Sequence, residues 1–172
     1  MRVLVITVSD SAVAGTREDK SGPAVAERVT ALGWSVTGRA LVADDSEQIA
    51  VLLKNAADSD RADVVLTTGG TGVAARDVTP EATRDAIERE IPGLGEVMRS
   101  EGRKHTPLAA LSRAVAGSRK RTLIVNLPGS PKGAVESLDA VSNLIPHIAD
   151  LLQGRTEHEG SGRNSPPAGD VR

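Results

Sequence analysis

Two glycine-rich segments of this 172-residue sequence combine residue types that bind phosphate groups. Residues 67–72 (TTGGTG) follow an apolar run at residues 64–66, and residues 128–130 (PGS) come shortly after an apolar run at residues 123–125. Both segments precede a pattern typical of a helix. Glycine lets the backbone turn tightly and approach a ligand, and amide groups at helix N-termini attract anions. Because ligands of open α/β sheets bind beyond the carboxyl ends of strands, the two segments predict a site for a phosphorylated ligand.

The first segment contains more glycine and hydroxyl groups than a turn requires. Three glycines and three threonines lie within six residues, and a tight turn between a strand and a helix needs fewer. The second segment allows two interpretations: an anion pocket that includes Lys132, or a proline–glycine turn with a serine helix cap. The candidate ligand-binding residues are Thr68, Gly69, Gly70, Thr71, Gly72, Pro128, Gly129 and Ser130, together with Ser9 and Asp10 at the end of the first predicted strand.

Acidic residues follow two of the predicted strands. Asp44 and Asp45 come after the second strand, and Asp77 lies between residues 67–72 and the next helix. From spacing alone, each acid is either a turn or helix-capping residue or a ligand of a divalent cation. Mg²⁺ binds one or two carboxylates together with phosphate oxygens and water. Two acids from different strand ends therefore suit a magnesium–phosphate site.

Missing motifs exclude several classes of enzyme. The sequence has no Gly-x-x-x-x-Gly-Lys-Ser/Thr loop of P-loop nucleotidases, and its first strand is not followed by the Gly-x-Gly-x-x-Gly of dinucleotide-binding folds. A Gly-x-Ser-x-Gly nucleophile elbow is also absent. Since the chain has no cysteine and its three histidines lack metal-ligand spacing, we expect neither thiolate chemistry nor a zinc site.

Composition restricts the partners. The formal net charge of -2 provides no general attraction to nucleic acid or to anionic membranes. Because Trp34 is the only aromatic residue, a nucleobase must be held by aliphatic side chains, backbone or Arg rather than by an aromatic stack. No apolar run approaches the ~20 residues that cross a bilayer. The absence of cysteine suits a reducing compartment, so we expect a cytoplasmic protein that binds neither nucleic acid nor membranes.

Strand and helix patterns alternate along the chain. Apolar runs predict strands at residues 3–8, 34–42, 64–66 and 123–125. Apolar residues spaced by three or four predict helices that begin near Ser21, Ser46, Thr79 and Ser130, the last of them split at Pro146. This alternation predicts an α/β fold, a three-layer α/β/α sandwich with a mostly parallel central sheet and right-handed crossovers.

Local signals add three expectations. Residues 9–20 are polar and predict a loop, Pro23 is predicted at the first helical position, and Thr79 is predicted as the hydroxyl cap of its helix.

The length suits one domain, which we place at residues 1–153. Residues 154–172 are rich in Gly, Pro and Ser, and we predict that they form a flexible C-terminal tail.

The two glycine-rich segments and their continuations resemble a known family. Residues 67–72 continue into RDVTPEA at residues 76–82, and NLPG follows at residues 126–129. This combination resembles the molybdopterin-binding domain of molybdenum-cofactor biosynthesis proteins, and it is most similar to the molybdopterin adenylyltransferase branch. The resemblance covers the chain from about residue 1 to residue 152. It implies the molybdopterin-binding fold and a reaction in which ATP and molybdopterin, with Mg²⁺, give adenylylated molybdopterin and pyrophosphate.

The same resemblance implies roles for individual residues. Asp44 and Asp77 match the family's essential carboxylates, which organise Mg²⁺ and phosphate groups; Asp44 is preferred to Asp45 because it follows an apolar triplet, as the family's acid does. Residues 67–72 and 128–130 would hold phosphates, and Ser9-Asp10 matches the family's first strand end. Because the family is usually trimeric and sometimes hexameric, we expect a homotrimer.

Two other functions compete with adenylyl transfer. One is a molybdopterin carrier or assembly scaffold without significant turnover, which intact Asp44 and Asp77 disfavour. The other is a nucleotide pyrophosphatase of the competence-damage type. That related domain shares the Thr-Thr-Gly-Gly start but diverges from the continuation at residues 76–81.

Overall fold

Alternating strands and helices form a six-stranded sheet in the computed structural model, which describes residues 1–155. The strands are β1 (Arg2–Val8), β2 (Ser35–Val42), β3 (Val64–Thr68), β4 (Arg89–Glu90), β5 (Ala116–Arg119) and β6 (Thr122–Leu127). The helices are α1 (Asp10–Val13), α2 (Ser21–Ala31), α3 (Ser46–Asp58), α4 (Thr79–Ala86), α5 (Pro92–Gly102), α6 (Pro131–Val141) and α7 (Ile145–Leu152), with a 3-10 helix at Pro107–Leu111. Most of the predicted tail, residues 156–172, lies outside the described residues.

The strands lie in the order β2-β1-β3-β6-β5-β4. β1, β2, β3 and β6 are parallel, β5 runs antiparallel to β6, and β4 runs antiparallel to β5. The prediction of a mostly parallel sheet is confirmed. Because the four parallel strands all end at the same edge, the residues that follow them meet there, although they are far apart in sequence.

Helices cover both faces of the sheet. Alternate residues of a strand point to opposite faces, and the buried residues form two clusters accordingly. Val5 and Leu66 pack with residues of α2, α5, α6 and α7, whereas Ile6 and Val65 pack with residues of α3 and α4. This arrangement confirms the predicted three-layer α/β/α sandwich. None of the helices in residues 1–155 is both long and apolar enough to span a membrane.

The segment between β1 and α2 differs from the predicted loop. A short helix, α1, begins after Ser9, whose hydroxyl accepts a hydrogen bond from the Ala12 amide. Helix α2 begins at Ser21, so Pro23 is its third residue rather than its first. The Asp19 carboxylate accepts from the Gly22 amide at 3.0 Å, a hydrogen bond in the first turn of α2.

One further local prediction is corrected, and strand β5 is an addition to the predicted elements. Thr79 is the first residue of α4 rather than its cap, because Val78 occupies the cap position and makes no side-chain bond there. Strand β5 was not predicted, since its sequence Ala-Gly-Ser-Arg lacks the β-branched residues typical of strands. The predicted break at Pro146 is confirmed, because α6 ends at Val141 and α7 begins at Ile145.

Candidate active site

The loop after β3 lies at the edge where the parallel strands end. Gly69 and Gly70 have φ values of 106° and 64°, in the left-handed region that favours glycine. A Cβ atom on Gly69 would lie 2.3 Å from the Val8 carbonyl oxygen. The loop is also bound to α4, because the Thr79 hydroxyl donates to the Gly69 carbonyl at 2.9 Å and its amide donates to the Gly70 carbonyl at 3.1 Å. These glycines are therefore needed for the close approach of three chain segments.

Thr68, which was predicted to bind a ligand, lines neither of the two cavities described below. It is fully buried, and its hydroxyl donates to the Pro128 carbonyl at 2.7 Å. Thr67 is also fully buried and accepts from the side-chain amide of Asn126 at 2.9 Å. These hydroxyls join the ends of β3 and β6 beneath the glycine loop. They position the loop rather than supply donors to a ligand.

Asp44 and Asp45, adjacent in sequence, have different environments. Asp45 caps α3, since its carboxylate accepts from the Gln48 amide at 2.8 Å. Asp44 instead lines a cavity at the strand ends, and its Oδ2 accepts from the Asp10 amide at 2.9 Å. Asp10 reciprocates, because its Oδ1 accepts from the Asp44 amide at 2.9 Å. The geometry therefore favours Asp44 over Asp45 as the residue that faces a ligand.

Asp77 lines the same cavity as Asp44. Its Oδ2 accepts from the Ala74 amide at 2.9 Å, a bond that holds the turn between the loop and α4. A Cβ atom on Gly72 would lie 2.7 Å from this oxygen, and one on Gly70 would lie 3.1 Å from Asp44 Oδ1. The absence of side chains at these glycines thus allows both carboxylates to approach the loop.

The second glycine-rich segment packs against the first. A Cβ atom on Gly129 would lie 3.2 Å from the Gly69 Cα, so the two loops are in direct contact. The Ser130 hydroxyl accepts from the Gly133 amide at 3.2 Å and caps α6. Ser130 is therefore a helix cap, as one of the two interpretations predicted, and it also lines the cavity. Lys132 does not join the site, because its side chain is 85% exposed and lines neither of the site's cavities.

Two cavities meet at the glycine loops. The first, here called the polar pocket, has a volume of about 360 Å³ and contains Ser9, Asp10 and Asp44, together with the cations Arg17, Lys20 and Arg76. The second, here called the apolar pocket, has a volume of about 480 Å³ and contains Thr71, Gly72 and Pro128 beside apolar side chains that include Met98, Leu108 and Leu111. Both pockets are lined by Gly70, Asp77, Gly129 and Ser130.

Arg113 is the main residue of the site that the sequence did not reveal. Its amide donates to the Thr71 carbonyl at 2.9 Å, and its Nε donates to the Gly72 carbonyl at 2.7 Å. Its terminal guanidinium nitrogens donate to the Asp77 carbonyl and to the Glu81 carboxylate. Because the planar guanidinium offers several fixed donors, one side chain holds the glycine loop, Asp77 and α4 together. The hydrogen bond from Arg113 lowers the pKa of Glu81 below its ordinary value.

The carboxylates fit a magnesium ion only if the ligand supplies further oxygens. Among residues 1–155, no group of three or more His, Cys, Asp or Glu could hold a metal ion alone. Asp44 and Asp77 each bind a backbone amide through one oxygen, which leaves the other oxygen for a cation. One or two carboxylates completed by phosphate oxygens and water is the arrangement that Mg²⁺ prefers.

A doubly covered, mostly parallel sheet with two glycine-rich loops at its strand ends is the architecture of α/β proteins that bind ligands beyond the carboxyl ends of their strands. Residues 4–148 match the model of the family described as "probable molybdopterin binding domain". The chain therefore belongs to this family of molybdenum cofactor biosynthesis, and the resemblance read from the sequence is confirmed.

Named relatives are similar over most of the chain. The molybdopterin adenylyltransferase of Helicobacter pylori J99 is 43% identical over 152 residues, which cover 87% of this chain and 86% of the relative. That of Escherichia coli K12 is 41% identical over 169 residues, which cover 90% and 86%. The crystal structure of the molybdopterin biosynthesis enzyme MoaB from Thermus thermophilus has a TM-score of 0.84 and 50% identity, and the match covers 89% of this chain and 96% of that one.

Proposed function

We propose that this protein is a molybdopterin adenylyltransferase, which joins the phosphate of molybdopterin to the AMP moiety of ATP and releases pyrophosphate. The observation that carries the proposal is the junction of the two pockets. Asp44 and Asp77 both approach the glycine loop there, and two cavities of different polarity share Gly70, Asp77, Gly129 and Ser130. A reaction between two phosphorylated substrates needs such a meeting point. The relatives named as molybdopterin adenylyltransferases, at 41% and 43% identity, support the same activity.

The two pockets suit different parts of the reaction. In phosphoryl transfer the attacking and leaving oxygens lie roughly in line on opposite sides of the phosphorus. The polar pocket contains the cations Arg17, Lys20 and Arg76 beside the acids Glu18 and Asp19, and the cations suit the pyrophosphate part of ATP. The apolar pocket then receives the pterin, whose phosphate reaches the glycine loop from the other side. The α-phosphate of ATP would lie between them, against the amides of residues 70–72 and the N-terminus of α6.

Asp44 and Asp77 are the residues that would hold Mg²⁺, and Asp10 orients Asp44 through the reciprocal backbone bonds. Bound there, the ion would supply positive charge to the phosphates. The protein needs no general base for this reaction, because the ionised phosphate of the pterin is already a nucleophile. Its own residues contribute by aligning the two phosphates and by placing amide donors and cations around the negative charge. Ser9 lines the polar pocket and caps α1.

One assay tests the proposal directly. The purified protein is incubated with molybdopterin, ATP and Mg²⁺, and adenylylated pterin and pyrophosphate are quantified. We expect equal amounts of the two products, formed only when both substrates are present. Tight binding of molybdopterin without product would instead identify a carrier or scaffold. Release of AMP from ATP without pterin would identify a nucleotide pyrophosphatase.

Two further features belong to the proposal. We expect a homotrimer, with a hexamer as the alternative, and sedimentation velocity of the full chain measures this state. We also expect the protein to act in the cytoplasm. Cell fractionation with an antibody against the full chain tests the compartment.

A further inference from the structure

A half-buried carboxylate lines the apolar pocket at a distance from the glycine loops. Glu136 lies on α6 with 29% of its side chain exposed. Two nitrogen atoms lie near its Oε1, Lys132 Nζ at 3.8 Å and His105 Nδ1 at 3.9 Å. Both distances exceed those of hydrogen bonds. Within residues 1–155 the Glu136 carboxylate therefore keeps its acceptor capacity for a ligand.

Glu136 and the N-terminal end of α6 line the same cavity. Ser130, Gly133, Glu136 and Ser137 all line the apolar pocket, at the three- and four-residue spacing of one helix face. Gly133 has no side chain to fill the space between the helix N-terminus and Glu136. From Ser130 to Glu136 the helix rises about 9 Å, six residues at about 1.5 Å each. A ligand with a phosphate at the glycine loops and a fused ring along α6 would bring its far edge to Glu136.

An ionised carboxylate is an acceptor with two parallel oxygens, so it recognises a pair of adjacent donors. A pterin carries such a pair on its 2-amino-4-oxo edge, the ring N3–H and the 2-amino N–H. We propose that Glu136 binds this edge through two hydrogen bonds and selects 2-amino-4-oxopteridines over ring systems that lack the amino group. The inference rests on the proposed function, because it adopts the pterin as the ligand of the apolar pocket.

Pterin and lumazine provide the direct test, because lumazine carries an oxygen in place of the 2-amino group. Binding of each compound to the full-length protein is followed by its own fluorescence, without ATP. We expect the wild-type protein to bind pterin at least about tenfold more tightly than lumazine, since lumazine presents an oxygen to the carboxylate. In Glu136→Gln the preference should disappear, because the side-chain amide can turn its NH₂ group toward that oxygen. Equal affinities of the wild-type protein for the two compounds would overturn the proposal.

Kinetics with the natural substrates separate this role from a general effect of charge. We expect Glu136→Gln and Glu136→Ala to raise KM for molybdopterin at least about tenfold while KM for ATP stays unchanged. Glu96→Gln is the matched control, since Glu96 is an exposed acid on the neighbouring α5 and lines neither pocket. A rise confined to KM for ATP would overturn the proposal and would point to the ribose hydroxyls as the donors. Absence of product from the wild-type protein would contradict the proposed function instead, and the pterin and lumazine affinities do not depend on that result.

Discussion

Aspartate residues at the two edges of the sheet have different partners. At the edge where the parallel strands begin, Asp58 pairs with Arg119 at 2.9 Å and with Lys120 at 3.0 Å, and Asp63 pairs with Arg2 at 2.8 Å. At the edge where these strands end, Asp44 and Asp77 bind the backbone amides of Asp10 and Ala74. Within residues 1–155 neither of these two acids pairs with a lysine or arginine side chain.

Their partners distinguish acids that form ion pairs within the fold from acids that accept hydrogen bonds from backbone amides. The hydrogen bonds from Arg119 and then Lys120 lower the pKa of Asp58 to about 2, so its charge is already neutralised within the protein. Asp44 and Asp77 lie instead beside amide groups and glycines. Two carboxylates without cationic partners beside a glycine-rich loop suit the proposed divalent cation, which would join them to a phosphate.

The largest effect should come from an acid at the ligand-binding edge. Asp77→Asn should lower kcat by about 10³-fold, because the amide cannot supply the negative charge that holds the cation and orders the phosphates. The asparagine oxygen can still accept from the Ala74 amide, so the melting temperature should stay near that of the wild-type protein. Initial rates and thermal unfolding measure the two effects. An unfolded variant would assign Asp77 to the fold instead.

The glycine loop beside the two acids should tolerate substitution less well than an unconstrained position. Gly70→Ala places a Cβ atom 2.3 Å from the Thr79 hydroxyl in a residue with φ of 64°. We expect it to destabilise the fold by about 1–3 kcal/mol and to lower kcat about 100-fold by shifting the loop. Gly93→Ala is the control, since its added Cβ would have no atom within 4 Å apart from its chain neighbours and the backbone of its own helix. Equal activities of the two variants would show that the loop conformation is unimportant.

Arg113 tests whether the ligand-binding edge depends on one positioning side chain. Arg113→Lys keeps the charge but loses the planar set of donors that reaches Gly72, Asp77 and Glu81. We expect a loss of about 1–2 kcal/mol in unfolding free energy and an approximately tenfold lower kcat. Arg28→Lys is the control, because Arg28 forms an exposed ion pair with Asp139. We expect this variant to lose less than about 0.5 kcal/mol of unfolding free energy and to keep the kcat of the wild-type protein. Similar losses in both variants would contradict the positioning role.

The smallest effect on activity should come from the opposite edge. Asp58→Asn should leave kcat unchanged, because its partners lie far from the glycine loops. The wild-type protein should be more stable than this variant at neutral pH, since the folded-state pKa of Asp58 is lowered from 3.8 to about 2. This advantage is present above the unfolded pKa and is lost as the pH falls through about 2. Urea unfolding of both proteins across this pH range measures the advantage. A difference in unfolding free energy that does not change with pH would contradict the pairing of Asp58 with Arg119 and Lys120.

The sequence was sufficient for the features that depend on local pattern. Alternating apolar runs predicted the parallel strands, and the order of the chain placed residues 67–72 and 128–130 at strand ends. Asp44 and Asp77 were singled out because acids that follow parallel strands share one edge, and the structure places both in the polar pocket.

Features that depend on distant partners were not predictable. Thr68 was assigned to the ligand because it belongs to the glycine-rich segment, but its hydroxyl bonds to Pro128, 60 residues away. Arg113 lies 41 residues from Gly72 and belongs to no motif, so only the folded chain shows that it holds the loop. Glu136 has the spacing of a helix face, but the pocket that it lines forms only when α5, the 3-10 helix and α6 come together.

Calorimetric titration of ATP in the presence of Mg²⁺ tests most directly whether the two unpaired acids share one cation–phosphate ligand. The wild-type protein and Asp58→Asn should bind ATP with the same affinity, and chelation of Mg²⁺ should weaken binding strongly in both. Asp44→Asn and Asp77→Asn should each bind weakly, and chelation should change their affinities little. Wild-type affinity for ATP in Asp44→Asn or in Asp77→Asn would contradict a shared cation site at the glycine loop. Binding of ATP to the wild-type protein with the same affinity with and without Mg²⁺ would contradict it as well.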